Sequence, residues 1–242
     1  MFRVVIAMIT RRALLQLPFA ALPVMALGYP PRCLIVFEGN SLSSLNNAVL
    51  PPTWTTLFMN GGVAKGYGLL GVNVAVAGDG VGQANNRAPI YVDPLRSTAD
   101  MGICLFWEGT NSLGGNNFDA DITFEQHRQY CAARKAAGWT TILGTIINRR
   151  IIYAGVEDDG RHETARLRFN QLVRDHASEF DAVFDIGADE ILGADHAAWD
   201  TTYFRDGVHL TEAGSQRVAN LADQVISQLM AHRIQFFPTV MI

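Results

Sequence analysis

Five short runs of the chain, Cys33 to Phe37, Val72 to Ala77, Ile103 to Trp107, Thr141 to Ile147 and Ala182 to Ile186, are apolar almost without interruption. A strand with one wet face alternates polar with apolar residues. A strand covered on both faces does not, and sheets covered on both faces are the parallel ones, whose crossover helices do the covering. Helical spacing follows the runs: Val218, Leu221, Ala222, Val225 and Leu229 fall on one face, as do Ala165, Phe169, Leu172, Val173 and His176, and 122–137 reads as a third helix. Thr211 stands where the N-cap of the last helix belongs. Strands alternating with helices predict right-handed crossovers and a doubly wound α/β domain, whose ligand crevice lies beyond the carboxyl ends of the strands.

A chain of 242 residues that is 49% hydrophobic and 17% charged can bury a core, which excludes a disordered polypeptide. The net charge of −4 is scattered, so there is no basic footprint for nucleic acid. Cys33, Cys104 and Cys131 are too few and too far apart for a disulfide framework or a zinc site, and read as buried small hydrophobes or, for Cys131, a helix residue. At the N-terminus Arg11-Arg12 precedes a run to Gly28 that carries no charge. Residues 1–28 are read as an export leader, with the paired arginines pointing to a twin-arginine route and to a periplasmic or secreted protein. Pro18 and Pro23 interrupt a stretch shorter than the ~20 residues of a bilayer span, so no stable membrane span is expected. Residues 29–242 are read as one domain, without repeats, linkers or a composition shift.

Polar residues cluster just past the apolar runs. The first leads into Glu38-Gly39-Asn40-Ser41-Leu42, the second into Ala77-Gly78-Asp79-Gly80, and the third into Glu108-Gly109-Thr110-Asn111; Asp206-Gly207-Val208-His209 comes near the C-terminus. Acyl transfer needs a nucleophile, a base, a group to orient the base, and donors for the oxyanion. Ser41 can be the nucleophile and His209 the general base, because imidazole titrates near neutrality. Asp206 can hold the imidazole tautomer. The N–H groups of Ser41 and Gly78 and the amide of Asn111 can serve as oxyanion donors, with a glycine at 78 leaving room for substrate.

In this order the four blocks resemble those of the SGNH hydrolases, the esterase and lipase superfamily also called GDSL. Gly39-Asn40-Ser41-Leu42 matches the first block, Asn73 through Gly78 the second, Gly109-Thr110-Asn111 the third and Asp206-x-x-His209 the last, together covering about 33–230. The resemblance implies a flavodoxin-like three-layer α/β/α sandwich with a five-stranded parallel sheet. It also implies a Ser-His-Asp triad of Ser41, His209 and Asp206, oxyanion donors at Ser41, Gly78 and Asn111, and neither a metal nor an organic cofactor. Asn40 replaces the family's Asp, and Ser112 follows Asn111 where many members have Asp, which leaves the catalytic roles in place but blurs the subfamily. The expected activity is a serine esterase acting on a small-molecule or glycan O-acyl ester, acetylated carbohydrate before lipid. Lipid esterase, O-acyltransferase and non-catalytic carbohydrate-binding or phage structural proteins are the alternatives.

Rival readings are weaker. Thr110-Asn111-Ser112-Leu113-Gly114 approximates a nucleophile elbow but lacks its first glycine, and the following Gly114-Gly115-Asn116-Asn117 reads as loop. Gly78-Asp79-Gly80-Val81-Gly82 has its third glycine one residue early for a dinucleotide loop, and Asn85, Asn86 and Pro89 speak against a helix after it. Asp189, Glu190, Asp195 and His196 read as a solvated loop, not metal ligands, and His127, His162, His176 and His232 as structural or surface residues. Trp107, Glu108 and Phe204, with Asn116 and Tyr203, are candidates for the substrate pocket.

Overall fold

The computed structural model describes residues 32–45, 52–150, 152–153, 156–157 and 160–234. The proposed leader at 1–28 lies outside them. Five strands form one parallel sheet: β1 (Cys33–Gly39), β2 (Leu69–Asn73), β3 (Met101–Trp107), β4 (Thr140–Gly144) and β7 (Ala182–Phe184), in the order β2-β1-β3-β4-β7. The short β5 (Ile152–Tyr153) and β6 (Val156–Glu157) pair with each other antiparallel. The helices are α1 (Trp54–Asn60), α2 (Gly62–Gly66), α3 (Val81–Tyr91), α4 (Thr110–Gly115), α5 (Ala120–Ala136), α6 (Arg161–Asp175) and α7 (Glu212–Ile234). This is the flavodoxin-like order, and its switch point falls between β1 and β3.

The unbroken apolar runs have the expected cause. Along β1, Ile35 and Phe37 pack with α1 and α7 residues such as Trp54, Phe58, Val218, Ala222 and Ile226. Leu34 and Val36, which point the other way, pack with Val81 and Ala88 of α3, Phe124 of α5 and Phe169 of α6. The central strands therefore bury both faces, and the domain has two cores with the sheet between them. The first is centred on aromatics: Trp54 stacks on Phe184 at 5.6 Å and meets Phe37 and Trp107 edge-on at 5.3 and 5.8 Å. The three cysteines are all buried, and no disulfide joins them. Thr211 caps α7 as expected, accepting from the Gly214 N–H at 3.2 Å.

Three local expectations are corrected. The second strand starts earlier than the apolar run suggested, at Leu69, because an edge strand needs only one buried face: Leu69 is buried and Leu70 exposed. The stretch from Val74 still follows β1, with Val74 and Val76 N–H groups donating to Phe37 and Gly39 carbonyls at 2.9 and 3.0 Å, but it forms the loop that carries Gly78. A helix does form over Val81–Tyr91 despite Pro89, because Pro89 is exposed, near the helix end, where water can satisfy the carbonyl left without a donor. Of the expected loop Gly114-Gly115-Asn116-Asn117, the two glycines are helical, as the end of α4, and the two asparagines form a turn: the Leu113 N–H donates to the Gly109 carbonyl at 2.8 Å, and buried Leu113 anchors the helix.

Among the described residues no helix is long and apolar enough to cross a membrane. Replacing Phe184, fully buried at the centre of the aromatic cluster, by Ala is expected to cost about 3–5 kcal/mol in urea unfolding. Leu70→Ala, on the exposed side of the edge strand, should stay within about 0.5 kcal/mol of the parent.

Candidate active site

The loops leaving β1, β2 and β3, which lie side by side, carry Ser41, Gly78 and Asn111. Gly39 ends β1 opposite Trp107 at φ +155°, and a Cβ there would run into the Trp107 carbonyl oxygen. Glycine at this position lets β1 stay paired to its last residue before the chain turns. Asn40, buried, then shapes the turn: its Oδ1 accepts from the Leu42 N–H at 3.0 Å and its carbonyl from the Ser43 and Ser44 N–H groups at 3.1 and 3.0 Å. Ser41 is thereby held half-buried at the carboxyl edge of the sheet.

The segment 204–210 is a closed loop. Phe204 and Leu210 are buried and bridge antiparallel, and the Arg205 N–H donates to the His209 carbonyl at 2.9 Å. Inside it Asp206 accepts from the backbone N–H groups of Val208 and His209 at 2.9 and 2.7 Å with one oxygen. Its other oxygen lies 2.7 Å from His209 Nδ1. Across the sheet edge, His209 Nε2 lies 3.0 Å from Ser41 Oγ. Ser41, His209 and Asp206 thus form one hydrogen-bonded line between residues 168 positions apart. Burial alone would raise the Asp206 carboxyl, but the two backbone bonds and the His209 ring outweigh it and hold the group below its ordinary value.

Gly78 adopts φ +87° in a turn closed by the Asp79 N–H to the Val76 carbonyl at 3.2 Å. A Cβ at 78 would meet nothing within 4 Å, so the glycine is required by its backbone conformation, and it opens on free space. Among the described residues neither the Ser41 nor the Gly78 N–H has an acceptor within the protein. Asn111, in the first turn of α4, donates from Nδ2 to the Asp79 carbonyl at 2.9 Å. A side-chain amide carries two N–H donors, and that bond uses one.

Ser112 is drawn away from the surface. Its hydroxyl lies 2.5 Å from Glu108 Oε2 and accepts from the Val81 N–H at 2.9 Å, inside the fold. The pocket expectation is also corrected: Trp107, Glu108 and Phe204 are only 1–2% exposed. Trp107 and Phe204 belong to the aromatic-side core, and Glu108 is enclosed by hydrogen bonds. Asn116 is tied to Thr123 and Gln126, both at 2.9 Å, and Tyr203 packs against the core. A cavity of about 300 Å³ lies elsewhere, lined by residues including Asn148, His162, Glu163, Asp195, His196 and Trp199. One of its lining residues, His162, lies 3.5 Å from Thr110, the neighbour of Asn111. Asp189 and Glu190 pair with Arg217 at 2.6 and 3.0 Å, and Asp195 lies 3.5 Å from His196.

Two further groups at the site were not singled out from sequence. Glu38, fully buried, takes the Gly39 N–H at 3.1 Å and Arg87 Nη2 at 2.9 Å; Arg87 also reaches Asp79 at 2.9 Å and the Val74 carbonyl at 2.8 Å. The available signal was a carboxylate closing an apolar strand, which demands a buried partner. Burial pushes Glu38 up to about 7 even though Arg87 opposes it.

Residues 39–217 match the profile of the GDSL-like Lipase/Acylhydrolase family. The chain belongs to that family. It is accordingly a carboxylic ester hydrolase. No curated protein sequence matches the chain. Among solved structures it is similar to an acetylxylan esterase from Geobacillus stearothermophilus, with 16% identity over 80% of this chain and 93% of that one and a TM-score of 0.60. A GDSL-like lipase from Bacteroides thetaiotaomicron aligns at 18% identity over 83% and 88%, with a TM-score of 0.58. A psychrotrophic esterase from Pseudoalteromonas sp. aligns at 17% over 82% and 98%, with a TM-score of 0.57. At these identities the likeness is one of fold.

The raised Glu38 carboxyl has a measurable consequence. A group whose folded value lies above its unfolded one favours the folded state most fully below the unfolded value, near 4.5, and that contribution is lost as pH rises through about 7. Glu38→Gln lacks this dependence. Urea melts at pH 5 and pH 8 should show the variant gaining stability relative to the parent at the higher pH.

Proposed function

We propose that this GDSL-family chain is a serine esterase that hydrolyses O-acyl esters, acetyl esters of carbohydrate first, through an acyl-enzyme on Ser41. The observation that carries the reading is the line from Asp206 through His209 to Ser41, with separations of 2.7 and 3.0 Å. With Nδ1–H donating to the Asp206 carboxylate, Nε2 is left as the acceptor for the Ser41 hydroxyl proton. Ser41 Oγ attacks the ester carbonyl carbon as that proton passes to Nε2, and the positive imidazolium is stabilised by Asp206. The oxygen that becomes negative is received by the N–H groups of Ser41 and Gly78 and the second N–H of Asn111. One such donor is worth about 3–4 kcal/mol in the transition state. Collapse breaks the bond to the alcohol, which leaves with the proton from Nε2. Water then repeats the sequence on the acyl-enzyme and restores Ser41.

Two features support a hydroxylated alcohol over a long alkyl chain. The sequence holds no long apolar lid segment, and the largely polar cavity with Trp199 on its wall comes within one residue of Asn111 through the His162–Thr110 contact. Acetylxylan esterases occur among the structural neighbours, which agrees with this choice without carrying it. The uncharged run after Arg11-Arg12 supports export to where glycans are found.

With p-nitrophenyl acetate as substrate, Ser41→Ala and His209→Ala should each lower kcat by at least about 10³-fold. Asn111→Ala should lower it about 10²–10³-fold. Ser41→Ala with parental activity would overturn the mechanism. Higher kcat/KM for p-nitrophenyl octanoate than for acetylated xylo-oligosaccharide would overturn the substrate preference.

A further inference from the structure

Two buried glutamates close neighbouring strands. Glu38 precedes Gly39 at the end of β1, and Glu108 precedes Gly109 just after β3; Glu38 pairs in register with Phe106, two residues before Glu108, so both carboxylates lie on the same side of the sheet. Neither has surface to offer a substrate. Each is instead bonded to a different part of the site, and a buried carboxylate is tolerated only when such bonds replace its lost water.

Glu108 gathers five groups from four residues. Oε1 accepts from the backbone N–H groups of Asn111 and Ser112 at 3.0 and 3.2 Å, and Asn40 Nδ2 approaches it at 3.5 Å. Oε2 takes the Ser112 hydroxyl and faces His127 Nε2 at 3.2 Å. His127 is oriented in turn by its Nδ1 on the Thr123 carbonyl at 2.7 Å. Burial would raise the Glu108 carboxyl, but His127, the Ser112 hydroxyl and the Gly109 N–H outweigh it and hold the group below its ordinary value. One carboxylate thus touches both the residue before Ser41 and the backbone of Asn111.

Glu38 works from the other end. Through Arg87 it reaches the Asp79 carboxylate and the Val74 carbonyl, which bracket Gly78. The Asp79 carbonyl accepts from Asn111 Nδ2, and the Val81 N–H donates to Ser112 Oγ. The bonds close on themselves: Glu38, Arg87, Asp79, Asn111, Glu108, Asn40, and back along two residues of chain to Glu38. All three segments that supply oxyanion donors are members of this ring.

We propose that Glu38 and Glu108 are positioning residues for the ester hydrolysis, which hold the Ser41 turn, the Gly78 loop and the Asn111 amide at one mutual geometry through this closed ring. The proposal rests on the oxyanion roles given above. An oxyanion donor acts only if it is already in place when charge develops, so loosening the ring affects the transition state more than substrate binding.

The experiment compares Glu108→Gln, Glu38→Gln, Ser112→Ala and Arg87→Lys with the parent and with Ser41→Ala. It uses p-nitrophenyl acetate and a boronic acid that forms a tetrahedral adduct on a catalytic serine. The expected result is a 10–100-fold fall in kcat for Glu108→Gln with KM within about 2-fold, and smaller falls for the other ring variants. Affinity for the boronic acid should fall by the same factor as kcat/KM across the set. Thermal melts identify variants that fail to fold; if a glutamate variant is among them, the test is carried by Arg87→Lys, which keeps the charge but loses the guanidinium's span from Glu38 to Asp79 and Val74, and by Ser112→Ala, which removes the hydroxyl that braces Glu108 and the Val81 N–H. Folded ring variants with parental kcat, or with lower kcat but unchanged boronic acid affinity, would sink the proposal while leaving Ser41 as nucleophile. Full activity in Ser41→Ala would instead sink the reading beneath it.

Discussion

The pairing of β1 with β3 is the constraint on which everything else in the site depends. It runs in register from Cys33 opposite Met101 to Gly39 opposite Trp107, and it is the switch point of the sheet. On either side of it the chain leaves in different directions, so a crevice opens at the carboxyl ends. Because the two strands end together, the turn with Ser41 and the helix with Asn111 start from adjacent points. Gly39 lets the pairing persist to that last residue, since any side chain there would strike the partner strand's carbonyl.

Around this fixed edge the site combines a local and a distant component. The His209–Asp206 unit is built within one short loop, by an Asx-type turn and by two buried anchors, Phe204 and Leu210. It needs the rest of the fold only to be placed near Ser41. The three segments proposed to supply the oxyanion donors are the opposite case: Ser41, Gly78 and Asn111 follow three different strands, and charged side chains packed beneath the surface bridge them. Two glutamates in that layer have been shifted in opposite directions, Glu38 upward and Glu108 downward, although both are buried. The difference lies in hydrogen bonding. Glu108 uses both oxygens, whereas Glu38 keeps one oxygen buried with no hydrogen-bond partner.

The apolar runs made β1, β3, β4 and β7 legible because burial on both faces leaves no polar positions to confuse the pattern. The same logic misplaced β2, an edge strand whose run is broken by Gly71 and which exposes Leu70. Pro89 and the pair Gly114-Gly115 argue locally against helices α3 and α4, but the cost of such residues depends on whether they face solvent or a packed neighbour. The assignment of Trp107, Glu108 and Phe204 to a pocket failed for a related reason. Nearness in sequence to a motif says nothing about which way a side chain points.

By itself the sequence determined the fold class, the order of the blocks and the residue types able to perform acyl transfer, because these follow from periodicity and from local chemistry. Only the tertiary structure decided that His209 meets Ser41 across 168 positions, and that Ser112 turns inward to Glu108. It also decided that Glu38 and Glu108 lie beneath the site and not in it. Hydrogen-bond partners of buried charges are chosen by what the packing of distant segments leaves within about 3 Å, and no local pattern encodes that.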